Sequence, residues 1–192
     1  MHADHLTPLQ YDYEEGVRSL MISRGLDPCD GDLQATPHRA WKAMREMTQG
    51  YDADIAGILG TRFAVAHDEM VVVTHIDFVS LCEHHLLPFV GVAHIGYVPD
   101  GNVLGLSKLP RLVLAFAQRF QVQERMTSQI ADALMLHVAP HGVGVVCSAS
   151  HQCMSCRGVR QANAVMTTTA LRGSMRTLVE QRAEFLAALP RT

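Results

Sequence analysis

The feature that most constrains this chain is Cys82-Glu83-His84-His85 taken together with His151-Gln152-Cys153. Two stretches so far apart in sequence act together only if the fold closes them onto one point. Cys82 and His85 have the Cys-x-x-His spacing that turns a thiolate and an imidazole onto one metal ion, and Cys153 offers a third ligand of the same kind. Zinc takes such sulfur and nitrogen ligands at about 2.0–2.3 Å, and three protein ligands leave a fourth position for water, which the metal makes acidic. His84 and His151 remain, each close to a ligand, as imidazoles able to move protons. The second segment runs on as Cys153-Met154-Ser155-Cys156, so Cys82, His85, Cys153 and Cys156 would also fill a closed, purely structural zinc site. Spacing alone leaves both arrangements open.

Composition narrows the setting. A chain of 192 residues suits one domain, or one domain with an appended element, and is long enough to bury a core. With 16 basic and 19 acidic side chains it has no global basic field, which argues against a nucleic-acid partner. Its cysteines number 5, an odd count, and Met1-His2-Ala3-Asp4-His5 carries no basic stretch followed by an apolar run. Both points predict a reducing compartment without an export signal rather than a disulfide framework. Between Ala133 and Cys156 there is no Asp, Glu, Lys or Arg, yet His137, Pro140, His141, Gly142 and Gly144 interrupt the run. A membrane span wants about 20 predominantly apolar residues, so this stretch reads as buried interior. The expectation is a soluble, cytoplasmic protein with no membrane partner.

The first third reads as helical. Val17, Leu20 and Met21 fall at helical spacing between Tyr13 and Arg24, and Gly25 is a natural stop. Thr36-Pro37 marks a second helix start, with Thr36 as the cap and Pro37 in the first turn, running through Trp41, Met44 and Met47 to Gly50. A short third helix covers Asp54 to Leu59. From Met70 the pattern turns to strands: Met70–Val79 and Val90–Val98, the second closed by the turn Pro99-Asp100-Gly101-Asn102. Helices over Lys108–Phe120 and Val122–His137, strands over Val143–Ser150 and Val165–Leu171, and a closing helix over Ser174–Leu189 complete the order. Strand pair, helix pair, strand pair and helix predict an α+β layer fold, an antiparallel sheet with helices on one face. The organisation expected is a helical segment over 1–60 and a catalytic domain over 61–192, acting as one functional unit.

Lys108 and Arg111 stand at i and i+3 just after Gly105-Leu106-Ser107, at a helix start whose free N–H groups and dipole favour phosphate. Arg157 and Arg160 follow the second metal segment. Glu124, beside Gln123 at another helix start, reads either as an N-terminal-turn carboxylate favoured by the dipole or as a carboxylate accepting hydrogen bonds from an amide and amine edge such as guanine presents. His38, His67, His75, His94, His137 and His141 have no supporting constellation and are read as structural.

These motifs in this order resemble the GTP cyclohydrolase I family. The matching segments are Thr36-Pro37-His38-Arg39, Ser80-Leu81-Cys82-Glu83-His84-His85, Gly105-Leu106-Ser107-Lys108, Gln121-Val122-Gln123-Glu124-Arg125 and His151-Gln152-Cys153-Met154 through Arg157-Gly158-Val159-Arg160. The resemblance implies the tunnelling fold, a ββααββ-like α+β subunit whose sheets assemble into a barrel. It further implies a homodecamer of two pentamers with active sites at subunit junctions. It places Zn2+ on Cys82, His85 and Cys153, and leaves Cys156 as an extra thiol. The reaction implied is hydrolytic opening of the guanine imidazole ring of GTP, release of formate and rearrangement to 7,8-dihydroneopterin triphosphate, the entry to pterin and folate synthesis. His84 and His151 would carry the acid–base work and Ser107 the sugar rearrangement. Glu124 and Gln123 would recognise guanine. Lys108, Arg111 and Arg157 would hold the triphosphate, with Arg39 reaching in from a neighbouring subunit.

Overall fold

Branched and small apolar residues dominate the strands between positions 71 and 173, and there the chain builds a five-stranded sheet. The computed structural model describes residues 6–190; Met1–His5, in which the sequence predicts no export signal, lie outside them. In chain order the elements are α1 (Pro8–Ser23), α2 (Thr36–Glu46), a 3-10 turn at Gln49–Asp52, α3 (Ile55–Leu59), β1 (Arg62–Ala64), β2 (Val71–Cys82), β3 (Pro88–Val98) and β4 (Asn102–Leu104). Then come α4 (Lys108–Ala117), β5 (Phe120–Gln121), α5 (Gln123–Val138), β6 (Gly142–His151), α6 (Gln152–Ser155), β7 (Met166–Gly173), α7 (Ser174–Thr177) and α8 (Val179–Ala187). Two compact units divide after Thr48.

In the first unit, Thr7 caps α1 by accepting from the Gln10 amide at 3.3 Å. α1 and α2 are joined by a polar clamp. Glu14, only 3% exposed, accepts from the Gln10 side chain at 2.9 Å and from Arg18 at 3.2 Å, and lies 3.2 Å from His38 Nδ1. The Tyr13 and Trp41 rings meet beside it at 5.5 Å. Thr36 is not the cap expected of it. It is the first helical residue, and Ala35 occupies the cap position with no side-chain hydrogen bond.

The second unit is α+β. Its main sheet has the order β5-β2-β3-β6-β7, antiparallel except for the short parallel pairing of β5 with β2; β1 and β4 form a separate ribbon. α4 and α5 cover one face, burying Phe78, Phe89, Ile95, Tyr97, Leu112, Met126, Ile130 and Leu134. The uncharged stretch read as interior spans the end of α5, β6 and α6, and within it Gly142–Cys147 of β6 are all buried. On the other face α8 lays Phe185 across Gly96 and Gly144, where an added Cβ would come within 2.6 Å of the ring. The expected closing helix is interrupted at Leu178, which is extended and divides α7 from α8.

A bulge interrupts β2. The register to β3 slips between Val73 and Ile76, with His75 at φ +56. Val71 and Val73 pack on the core before the bulge, and Ile76, Phe78 and Cys82 after it. Strand side chains alternate between faces, so one inserted residue changes parity. Without it Cys82 would point away from the helices.

Candidate metal centre

One end of the sheet gathers the two motifs. β2 ends at Cys82, and the turn that follows is closed by Leu86 N donating to the Cys82 carbonyl at 2.8 Å and Cys82 N donating to the Leu87 carbonyl at 2.9 Å. That turn carries Glu83, His84 and His85. Two strands away β6 ends at His151, directly opposite Phe89 of β3, and α6 begins at once with Cys153 in its only turn. The sulfurs of Cys82 and Cys153 and a ring nitrogen of His85 all lie within 4.8 Å of one another. His85 Nδ1 stands 3.6 Å from Cys82 Sγ. Ligand atoms around a tetrahedral ion with bonds of 2.0–2.3 Å stand about 3.6 Å apart, so the donor set and its spacing suit zinc. Cys156 is not part of this cluster, because its thiol donates to the Gln152 carbonyl at 2.9 Å and is exposed. Three candidate ligands remain.

The protonation chemistry agrees with a cation site. Burial pushes the Cys153 thiol up, and the neighbouring Cys82 sulfur pushes it further, while the Arg157 guanidinium pulls the other way. Two thiols so close shed their protons most readily to a metal. Arg157 is thereby placed near the ligands. By contrast Cys147, fully buried in β6, is pushed up to about 11 by desolvation, as befits an inert packing thiol.

Both spare histidines stand beside the cluster. His84 is exposed, with Nδ1 3.9 Å from Cys82 Sγ and Nε2 3.8 Å from Glu83. His151 lies flat on Phe89, ring centroids 4.6 Å apart at 6°, with Nε2 2.8 Å from Gln123 Oε1. Burial holds its imidazole below the ordinary range, and the Glu124 carboxylate opposes that shift, which places Glu124 near the ring. Gln123 is 1% exposed, whereas Glu124 beside it is exposed.

Sequence reasoning assigned no role to two supports of this end. Arg125 pairs with Glu83 and holds its carboxyl below the usual range; Arg125 also reaches the Gln121 side chain at 3.1 Å and the Phe120 carbonyl at 3.2 Å. Phe89, which carries His151, is identifiable only once the β3–β6 register is known.

Ser107, Lys108 and Arg111 are not brought to the cluster within one chain. Leu104, just before Gly105-Leu106-Ser107, donates its amide to Tyr97 Oη at 2.9 Å, and Tyr97 pairs with Val71 at the opposite end of β2 from Cys82. A strand of that length spans roughly 35 Å. Ser107 and Lys108 therefore open α4 at the far end of the sheet, and Arg111 lies one turn further on, exposed. Arg39 belongs to the first unit, exposed in the first turns of α2.

Among the described residues, no helix is long and apolar enough to cross a membrane. The sequence profile of the family described as GTP cyclohydrolase I matches residues 13–190. The protein named GTP cyclohydrolase 1 from Mycobacterium ulcerans (strain Agy99) is 51% identical over 175 residues, 90% of this chain and 87% of its own length. Its namesake from Campylobacter concisus (strain 13826) is 44% identical over 182 residues, 94% of this chain and 96% of its own. That from Chlorobaculum tepidum is 49% identical over 173 residues, 90% and 77% respectively. With a profile match over nearly its whole length and relatives at this identity, the chain belongs to the GTP cyclohydrolase I family.

Proposed function

We propose that this protein is a zinc-dependent GTP cyclohydrolase I, which hydrolytically opens the guanine imidazole ring of GTP, releases formate and forms 7,8-dihydroneopterin triphosphate for pterin and tetrahydrofolate synthesis. The observation that carries the reading is the three-ligand cluster of Cys82, His85 and Cys153 with two further imidazoles beside it, in a chain of this family. Cys82, His85 and Cys153 would hold a zinc ion, which would supply Lewis-acid chemistry at this end of the sheet. Ring opening, formate release and sugar rearrangement each move protons, and His84 and His151 divide that work. Glu124 accepts hydrogen bonds from the N–H and amine edge of guanine. Gln123 stands beside it at the start of α5. The cationic side chains Arg157, Lys108, Arg111 and Arg39 hold the triphosphate as charge-assisted donors. The Ser107 hydroxyl serves the rearranging sugar.

Ser107, Lys108 and Arg111 belong to the site only when a second copy brings its α4 end to the metal end of the first. The open outer edge of β7 and the part of β2 beyond its short pairing with β5 suit strand pairing between copies. The working enzyme is a cytoplasmic homodecamer of two pentamers, in which the N-terminal segment 1–60 and the catalytic segment 61–192 act as one functional unit.

The test is to incubate the zinc-loaded protein with GTP, oxidise the product and measure neopterin fluorescence together with formate. Both signals in the wild type, and their loss in His84→Ala and His151→Ala, are expected. A folded, zinc-replete oligomer that yields neither signal refutes the reading.

A further inference from the structure

The Gln123 side chain is fully engaged by the protein itself. Its amide nitrogen lies 2.9 Å from the Cys147 carbonyl, 2.9 Å from the Met166 carbonyl and 3.1 Å from Thr168 Oγ1. Two of these partners are backbone carbonyls with no proton to give. The third is already committed: Thr127 Oγ1 donates to the Gln123 backbone carbonyl at 2.7 Å, so the 2.7 Å contact between the two threonine hydroxyls must run from Thr168 to Thr127. Turning the amide over would set its oxygen against acceptors alone. The orientation is therefore fixed, with Nε2 towards the strands and Oε1 towards His151. Oε1 can only accept, so at 2.8 Å His151 Nε2 must carry a proton.

We infer that Gln123 is a positioning residue that holds His151 in its Nε2–H tautomer, making Nδ1 the atom through which the neutral ring accepts a proton. The Phe89 ring fixes the imidazole plane from one side and the Gln123 oxygen fixes its rotation within that plane. A general base kept in one tautomer and one orientation spends no free energy on reaching them during the reaction. The network that does this draws on β6, β7 and α5, so the base at the end of β6 is held by two strands and a helix together. This assignment replaces direct contact with guanine as the task of the Gln123 side chain, and leaves recognition to Glu124.

The naming of His151 as a catalytic base rests on the cyclohydrolase reading, but the tautomer does not, and the experiment separates the two. In metal-free, substrate-free protein at about pH 8, above the ordinary imidazole range of about 6.5, the ring-nitrogen NMR signals of His151 are assigned by difference from His151→Ala. The expected result is an Nε2–H ring with an unprotonated Nδ1. In Gln123→Met, folded as judged by circular dichroism, that signature is expected to give way to mixed tautomers. In the zinc-loaded Gln123→Met enzyme, kcat is expected to fall about 100-fold with KM for GTP held within about threefold. An Nδ1–H ring in the wild type overturns the inference even if the variant does not fold. So does a folded variant with the wild-type tautomer, or one whose KM rises more than about tenfold while kcat is kept. Wild-type protein with the expected tautomer but no neopterin would refute the cyclohydrolase reading and leave the lock standing.

Discussion

Cys153 lies in the short helix α6 and Cys156 caps its end, three residues on, and the two face different fates. Cys153 meets Cys82 and His85, whereas Cys156 spends its thiol on the Gln152 carbonyl. Replacing Cys156 with Ala is accordingly expected to leave one zinc per chain and unchanged turnover, while Cys153→Ala loses the metal, as read by metal analysis after dialysis. Equal zinc loss in both would instead mark a closed four-ligand site. The sequence alone carried the Cys-x-x-His spacing and the later cysteine, because ligand spacing is a local property. It left the fourth ligand open, since the choice depends on where one thiol points. The Gln123 network was not legible at all. Its partners Cys147, Met166 and Thr168 lie on strands whose register no local pattern states.

Among the elements, α8 depends on a single ring. Phe185 is fully buried against Gly96 and Gly144. Phe185→Ala is expected to destabilise the fold by about 3–5 kcal/mol through lost burial and a cavity, read by denaturant unfolding. Gly96→Ala should cost about 1–3 kcal/mol by pushing a methyl into the same ring. The α1–α2 pair carries a pH dependence of known sign. Hydrogen bonds from Gln10, ahead of those from His38 and Arg18, hold the Glu14 carboxyl below its usual value. A depressed carboxylate stabilises the fold above the unfolded value of about 4.3, and that gain is lost as pH falls through the lower folded value. The stability difference between wild type and Glu14→Gln should therefore be largest near neutrality and vanish in acid. Most long elements were legible from periodicity. The three short strands β1, β4 and β5 were not, since two or three residues carry no periodic signal. Nor was the full reach of β2 to Cys82, where motif residues stand in strand positions and a bulge interrupts the alternation.

At the scale of the whole molecule, one subunit holds the ligand cluster and the Ser107–Lys108 end of α4 apart on opposite ends of its sheet. Subunit mixing tests whether neighbours join them. His151→Ala and Lys108→Ala, each inactive alone, are expected to regain activity when dissociated and reassembled together, with about a quarter of junctions receiving two intact halves by random assortment. A site contained in one chain would recover nothing, since every chain carries a lesion. The expectation of an α+β subunit with a helix-covered antiparallel sheet needed only the order of patterns along the chain. The separation of the two clusters needed the register of β2 on β3. One small feature sets the tolerance of the catalytic end. β5 pins Gln121 opposite Cys82, and Gln123 opens the helix that locks His151, so Val122 alone lies between the ligand strand and the base. That single residue is a ruler: its side chain is negotiable and its length is not. A one-residue insertion there would turn Gln123 by about 100° around its helix, uncoupling proton transfer from metal binding without touching a ligand.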